Sequence, residues 1–254
     1  MQSASLPPTA AARIPPASRL AVIDALRGLA ILQMVAYHFI YDLSYFGWVD
    51  LAMARDQPWV AWRTAIVTQF LLLVGIGLDL RTAQQVDARR FWRRWLQIAA
   101  AALLVSAGSR IVFGPRFIWF GVLHFVALAL LLGRAWMRTA APSWLAALLA
   151  LGAGLGLHST HFDPDALSWI GFATIKPATE DFVPLLPWLA AVFAGLALAP
   201  RWRAHGFRAP GPLARWAQRP PRLLLALGHW PLTIYLLHQP VLFGLMSLIE
   251  RATR

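Results

Sequence analysis

The feature that most constrains this chain is the spacing of its apolar blocks, which fall at roughly 20–42, 60–80, 94–112, 117–134, 142–158, 182–200 and 223–249 with short polar segments between them. Most approach the ~20 residues a helix needs to cross a bilayer. In hydrocarbon a helix satisfies its own backbone, so such blocks read as spans. Composition agrees: 59% of the 254 residues are hydrophobic, 13% are charged and the mean hydropathy is +0.57, outside the mix that keeps a soluble domain dissolved. The expectation is an all-α integral membrane protein, a polytopic bundle of about seven transmembrane helices whose first partner is the lipid bilayer. No repeat appears at solenoid or transporter-half periods. We therefore expect one domain over 20–250, preceded at 1–19 by a disordered cytoplasmic tail that lacks the charged start and apolar core of a signal peptide.

Basic residues orient the bundle. A net charge of +12 would suggest nucleic acid in a soluble protein, but here its distribution follows the positive-inside rule and we expect no nucleic-acid partner. With the N-terminus in the cytoplasm, the inner segments hold Arg13 and Arg19, Arg81 and the run from Arg89 to Arg94, Arg134 and Arg138, and six arginines from Arg201 to Arg222, together 15 of the 23 basic residues. The outer segment 158–181 is the most acidic, with Asp163, Asp165, Glu180 and Asp181. Seven spans then leave the C-terminus outside. Trp48, Trp59, Trp119 and Trp188 fall near outer ends, as an interfacial aromatic belt requires.

Ionisable residues inside a span cost ~2.5–3.5 kcal/mol each on insertion scales, so those of the first helix call for a reason. At 100° per residue, Asp24, Arg27, Ile31, His38 and Asp42 lie within about 60° of one another, and Asp24 to His38 covers about 21 Å. Such a face looks into protein or a wet passage. Its bland reading is an i, i+3 pair of Asp24 with a snorkelling Arg27, and a hydrogen-bonded packing role for His38. Two further intramembrane candidates are His124, about 10 Å below the outer end of the fourth block, and His238, near mid-depth if Pro231 opens the last helix. His229 falls at the cytoplasmic interface, where a structural role is expected.

Other chemistries are excluded by residue type. The chain has no cysteine, so it forms no disulfide, thiolate metal site or cysteine nucleophile. Its histidines make no i, i+4 pair and no loop cluster at ligand spacing, so no metal is expected. Phosphate-cradling glycine motifs and a serine-hydrolase elbow are also absent. Buried imidazoles with a few carboxylates suit general acid–base or acyl-transfer chemistry.

The string Arg19-Leu-Ala-Val-Ile-Asp-Ala-Leu-Arg-Gly-Leu-Ala-Ile-Leu-Gln-Met-Val-Ala-Tyr-His38 resembles the opening helix of the heparan-alpha-glucosaminide N-acetyltransferase catalytic-domain family, in its short bacterial form. Phe70-Leu-Leu-Leu-Val-Gly75, Phe120-Gly-Val-Leu-His124, Asp181-Phe-Val-Pro-Leu-Leu-Pro-Trp188 and Ile234-Tyr-Leu-Leu-His-Gln-Pro240 extend the likeness along the chain from residue 19. The resemblance implies a multi-pass protein of the bacterial inner membrane. It would transfer acetyl from cytoplasmic acetyl-CoA, its donor substrate, to an amine or hydroxyl of a glycan or amino sugar outside. In that picture Asp24, Arg27 and Arg81 hold the acyl-CoA, with the basic 89–94 segment as further phosphate candidates. His38 meets the thioester, and His124, His238 or Asp181 orients it or takes a second proton.

Two departures matter. Animal relatives carry asparagine at the position of His38, and their catalytic histidine falls here on Val49; their large luminal domain is also absent, so heparan itself is not expected as substrate. Three other readings stand beside acetyl transfer from this sequence: O-acylation of the polysaccharide-modifying type, a small transporter or flippase without covalent chemistry, and an assembly subunit whose histidines only join helices. Oligomeric state, including a homodimer, is left open.

Overall fold

The computed structural model describes residues 17–207 and 219–253. Most of the expected tail, with Arg13, and the inner arginines Arg208 and Arg215 lie outside the described residues. The described residues form helices and loops and contain no strand. The helices of eight or more residues are α1 (Ala17–Tyr45), α2 (Gln57–Ala83), α3 (Ala88–Phe113), α4 (Val122–Trp136), α5 (Ser143–Gly156), α6 (Leu185–Ala204), α7 (Arg222–His229) and α8 (Pro231–Thr253). Five stretches are long and apolar enough to cross a membrane, in α1, α2, α3, α6 and α8. The chain is a multi-pass helical membrane protein.

Three of the expected blocks fold differently from simple spans. The fourth begins with a 3-10 turn at Gly114–Arg116 and an extended segment, so that α4 starts only at Val122. Gly114 there adopts φ +56, a left-handed conformation that ends α3 at little cost only for glycine. As a result His124 lies in the first turn of α4, not about 10 Å down a helix. The fifth block forms a 14-residue helix, short of the ~20 residues of a full span. The seventh is interrupted at Trp230: Pro231 has no N–H to donate and restricts the residue before it, so α7 ends and α8 starts afresh.

Small residues allow the helices to meet backbone to backbone. A Cβ on Gly28 of α1 would overlap the Leu224 carbonyl of α7, and one on Gly228 of α7 would overlap the Asp24 carbonyl of α1. Gly75 of α2 and Gly195 of α6 form a second reciprocal pair, each facing a carbonyl of the opposite helix, at Val192 and Leu72. Van der Waals packing has to hold helices together where lipid removes the hydrophobic drive, and close approach maximises it. The resulting core lies among α2, α4 and α6, where Leu71, Phe125, Ala129 and Val192 have no exposed surface. Outward, Leu103, Leu104 and Ile111 of α3 are 66–86% bare, an apolar face suited to acyl chains.

Gly195→Ala should therefore lower stability by about 1–3 kcal/mol, the usual cost of forcing atoms into a packed contact. Thermal unfolding in detergent measures it. Gly108→Ala is the control, because nothing lies within 4 Å of its Cβ; helix propensity there favours alanine.

The bundle has two chemically distinct ends. At the basic end lie Asp24, Arg27, Arg81 and Arg94, with Arg203 of α6 set 3.6 Å from Asp79 of α2. At the other, here the loop end, residues 157–184 fold back over the helices. Asp163 fastens this loop by accepting from the Thr174 hydroxyl at 2.8 Å and from the Thr174 and Ile175 amides at 2.6 and 3.3 Å. Those bonds, the Thr174 hydroxyl first among them, hold its carboxyl below the usual range.

Candidate active site

α1 and α8 run side by side in the same direction, as successive contacts along both helices establish. His38 meets His238, Asp42 meets Gln239, Tyr45 meets Phe243 and Trp48 meets Glu250. The polar face expected on α1 is turned inward, with Ile31 and Asp42 fully buried. Its centre is a pair of imidazoles. The rings of His38 and His238 lie 4.8 Å apart between centroids, edge to face at 69°.

Hydrogen bonding fixes the tautomer of each ring. His38 Nδ1 is 2.9 Å from the Met34 carbonyl, and His238 Nδ1 is 2.7 Å from the Tyr235 carbonyl. A carbonyl only accepts, so in both neutral rings Nδ1 carries the hydrogen and Nε2 keeps its lone pair. The Nε2 of His238 is buried and has no hydrogen-bond partner among the described residues. His38, partly buried on the facing helix, brings a second basic Nε2 to the same place.

Asp181 approaches the pair from the loop end. Its Oδ2 accepts the Val122 amide at 2.9 Å, capping α4, and the Tyr235 hydroxyl is close enough to feel the charge of the same carboxylate. The charge of Asp181 acts on His38, His124 and Tyr235 alike. Gly121 makes this possible, because a Cβ there would collide with the Asp181 carboxylate and with Ile118. Two segments far apart in sequence, 120–124 and 181–188, are locked together at this point.

His124 belongs to that lock. Its Nδ1 accepts from the Gly121 amide at 3.3 Å, so its Nε2 carries the hydrogen and donates to the Ser106 hydroxyl at 3.1 Å. Ser106 in turn donates to the Ile118 carbonyl at 2.6 Å. Both ring nitrogens are occupied, which leaves His124 without the open lone pair that His38 and His238 have.

At the basic end, Arg27 Nη1 and Asp24 Oδ1 are 2.6 Å apart, as the i, i+3 spacing led us to expect. Asp24 Oδ2 also lies 4.0 Å from His229 Nε2. Arg81 and Arg94 are close enough for their charges to act on each other, and both act on Arg27. Asp24 pairs with Arg27 alone of these three guanidiniums, which leaves a surplus of positive charge suited to phosphate. Among the described residues no group of His, Asp and Glu could hold a metal.

Sequence reasoning missed the pairings of several groups at the loop end. Tyr41 donates to Glu180 at 2.8 Å, and Glu180 pairs with Arg116 at 2.8 Å. Asp42 accepts from Gln239 at 3.3 Å. Tyr235, three residues before His238, could have been found from the 3.6-residue period of α8, which sets both on one face. Val49, where the animal relatives have a histidine, lies beyond the end of α1 and is 37% exposed.

Within this helical membrane bundle an imidazole pair thus lies at one depth and a cationic cluster at another. The catalytic model of the heparan-alpha-glucosaminide N-acetyltransferases, described as "Heparan-alpha-glucosaminide N-acetyltransferase, catalytic", matches residues 19–240. The chain belongs to this family. No curated protein and no solved structure matches it.

Proposed function

We propose that the chain is an acetyl-CoA-dependent acetyltransferase of seven spans. The basic end faces the cytoplasm and holds the donor, and the loop end presents an amine or hydroxyl of a sugar on the outer side of a bacterial inner membrane. One observation carries this reading: two Nδ1-protonated imidazoles, with the Nε2 of His238 buried and unpartnered among the described residues, sit on an inward polar face whose other end is the Arg27, Arg81 and Arg94 cluster. Arg27 and His38 are separated by about 16 Å along α1, a span that an extended phosphopantetheine arm can bridge.

The residues divide the work by position. Arg27, Arg81 and Arg94 bind the donor phosphates, and Asp24 fixes the rotamer of Arg27 by the 2.6 Å contact. His38 Nε2 takes the proton of the attacking group as its lone pair adds to the thioester carbonyl. The carbon–sulfur bond then breaks, and His238 handles the proton that passes to the sulfur. Asp181 lies where its charge stabilises the imidazolium that forms, with Tyr235 beside the carboxylate. His124 fastens the 120–124 turn and takes no proton.

Direct transfer in a ternary complex is favoured over an acetyl-histidine, because an acyl-imidazole is labile and a passage wet enough for a sugar admits water to hydrolyse it. Purified protein given acetyl-CoA and a panel of amino sugars should release free CoA thiol only when an acceptor is present. Acceptor binding with no thiol release would favour the transporter or flippase reading instead.

A further inference from the structure

One turn towards the loop end from His38, Asp42 is fully buried. Its Oδ1 accepts from Gln239 Nε2 at 3.3 Å, and its Oδ2 has no hydrogen-bond partner among the described residues. Gln239 Oε1 and the neighbouring His238 Nε2 are likewise unpartnered there. These are a carboxylate oxygen, an amide oxygen and an imidazole nitrogen. All three accept hydrogens and none donates. Pro240 adds a fourth acceptor in the same turn of α8, since without an N–H it leaves the Leu236 carbonyl without its helical donor.

Buried polar groups are ordinarily satisfied, and a buried carboxylate without a cation is costly. Among the described residues Asp42 makes no ion pair. The titratable groups around it are His38, Tyr41 and Tyr45 on its own helix and His238 on α8, with Glu180 reached through Tyr41 and Arg116 already engaged by Glu180 at 2.8 Å. None of them pairs Asp42 with a fixed positive charge. Beyond Asp42, Tyr45 is 48% exposed and marks the way out. What this turn lacks is a proton.

The transferase reading supplies one when the acceptor is an amine. An ammonium and a thioester give an amide, a thiol and one proton: the nitrogen–carbon bond forms and the carbon–sulfur bond breaks. Two hydrogens leave the nitrogen, of which one ends on sulfur and the other must depart. We propose that Asp42 is the relay residue that takes this second proton from the His38–His238 pair and returns it to water at the loop end. The inference rests on the transferase reading with an amine acceptor. Gln239 holds the carboxylate in place by its donated bond.

The test separates relay from structural support. Asp42→Asn keeps an oxygen that can accept from Gln239 but cannot take up a proton. In pre-steady-state thiol release with acetyl-CoA and an amino sugar, the first turnover should run at the parent rate. Later turnovers should slow by roughly 10²-fold, with the Kd for the donor unchanged. Asp42→Ala should show the same slow phase, and added formate should restore it. A steady-state rate equal to the parent in either variant overturns the proposal, as does a slow phase in Asp42→Ala that formate does not change. If the parent itself releases no thiol with any acceptor, the transferase reading has failed, and the relay fails with it. That outcome differs from a parent that turns over and a variant that turns over equally well.

Discussion

Replacing His38 by asparagine should lower acetyl transfer by about 10²–10⁴-fold, the usual contribution of a general base, with near-normal protein yield and donor binding. The substitution suits this site because asparagine keeps a polar side chain that can still donate to the Met34 carbonyl, as Nδ1 of His38 does at 2.9 Å. What disappears is the lone pair of Nε2. His238 would remain as the second imidazole of the pair, with its own Nε2 unblocked, so a residual rate above background is expected. The double variant His38→Asn with His238→Gln should abolish it. Full turnover by His38→Asn would remove this residue from the chemistry and transfer the role to His238. The comparable substitution at His124 should act on stability, since it would break the contacts to Gly121 and Ser106 that start α4.

The second large effect concerns the donor. Arg27→Gln should weaken CoA binding by about 10–100-fold, the equivalent of one or two charge-assisted hydrogen bonds. It should also cost about 1–3 kcal/mol of stability, between the values for exposed and buried ion pairs. The side chains of Arg27 and Asp24 are only 28% and 25% exposed, so the abandoned carboxylate is poorly hydrated. Its remaining neighbour is His229 at 4.0 Å. The double variant Asp24→Asn with Arg27→Gln leaves no lone charge. It should recover most of the stability and none of the CoA binding, as read by thermal unfolding and by calorimetric titration with CoA. Parent-like CoA affinity in that folded double variant would make the pair purely structural.

The parts of this protein that the sequence made legible are those governed by local periodicity. The inward polar face of α1, the Asp24–Arg27 contact and the opening of α8 at Pro231 all follow from residues within one or two turns of each other. The start of α4 was less accessible, because it depends on Asp181 arriving 59 residues later to cap Val122. The pairing of His38 with His238 and of Asp42 with Gln239 depends on α1 and α8 lying in register, which no spacing along the chain encodes. His124 looked equivalent to the other intramembrane histidines for the same reason. Only the turn around Gly121 and the nearby Ser106 reveal that its two nitrogens are already used.

The most direct test is to follow labelled acetyl in sealed membrane vesicles carrying the protein and its native glycans. Inside-out vesicles given labelled acetyl-CoA from the bath expose the basic end to the donor. They should accumulate label on lumenal glycan, in an amount that falls with His38→Asn, while right-side-out vesicles should accumulate none. Label appearing only in right-side-out vesicles would reverse the orientation of the bundle. No covalent label on glycan in either orientation, from protein that folds and binds CoA, would contradict acetyl transfer across the membrane.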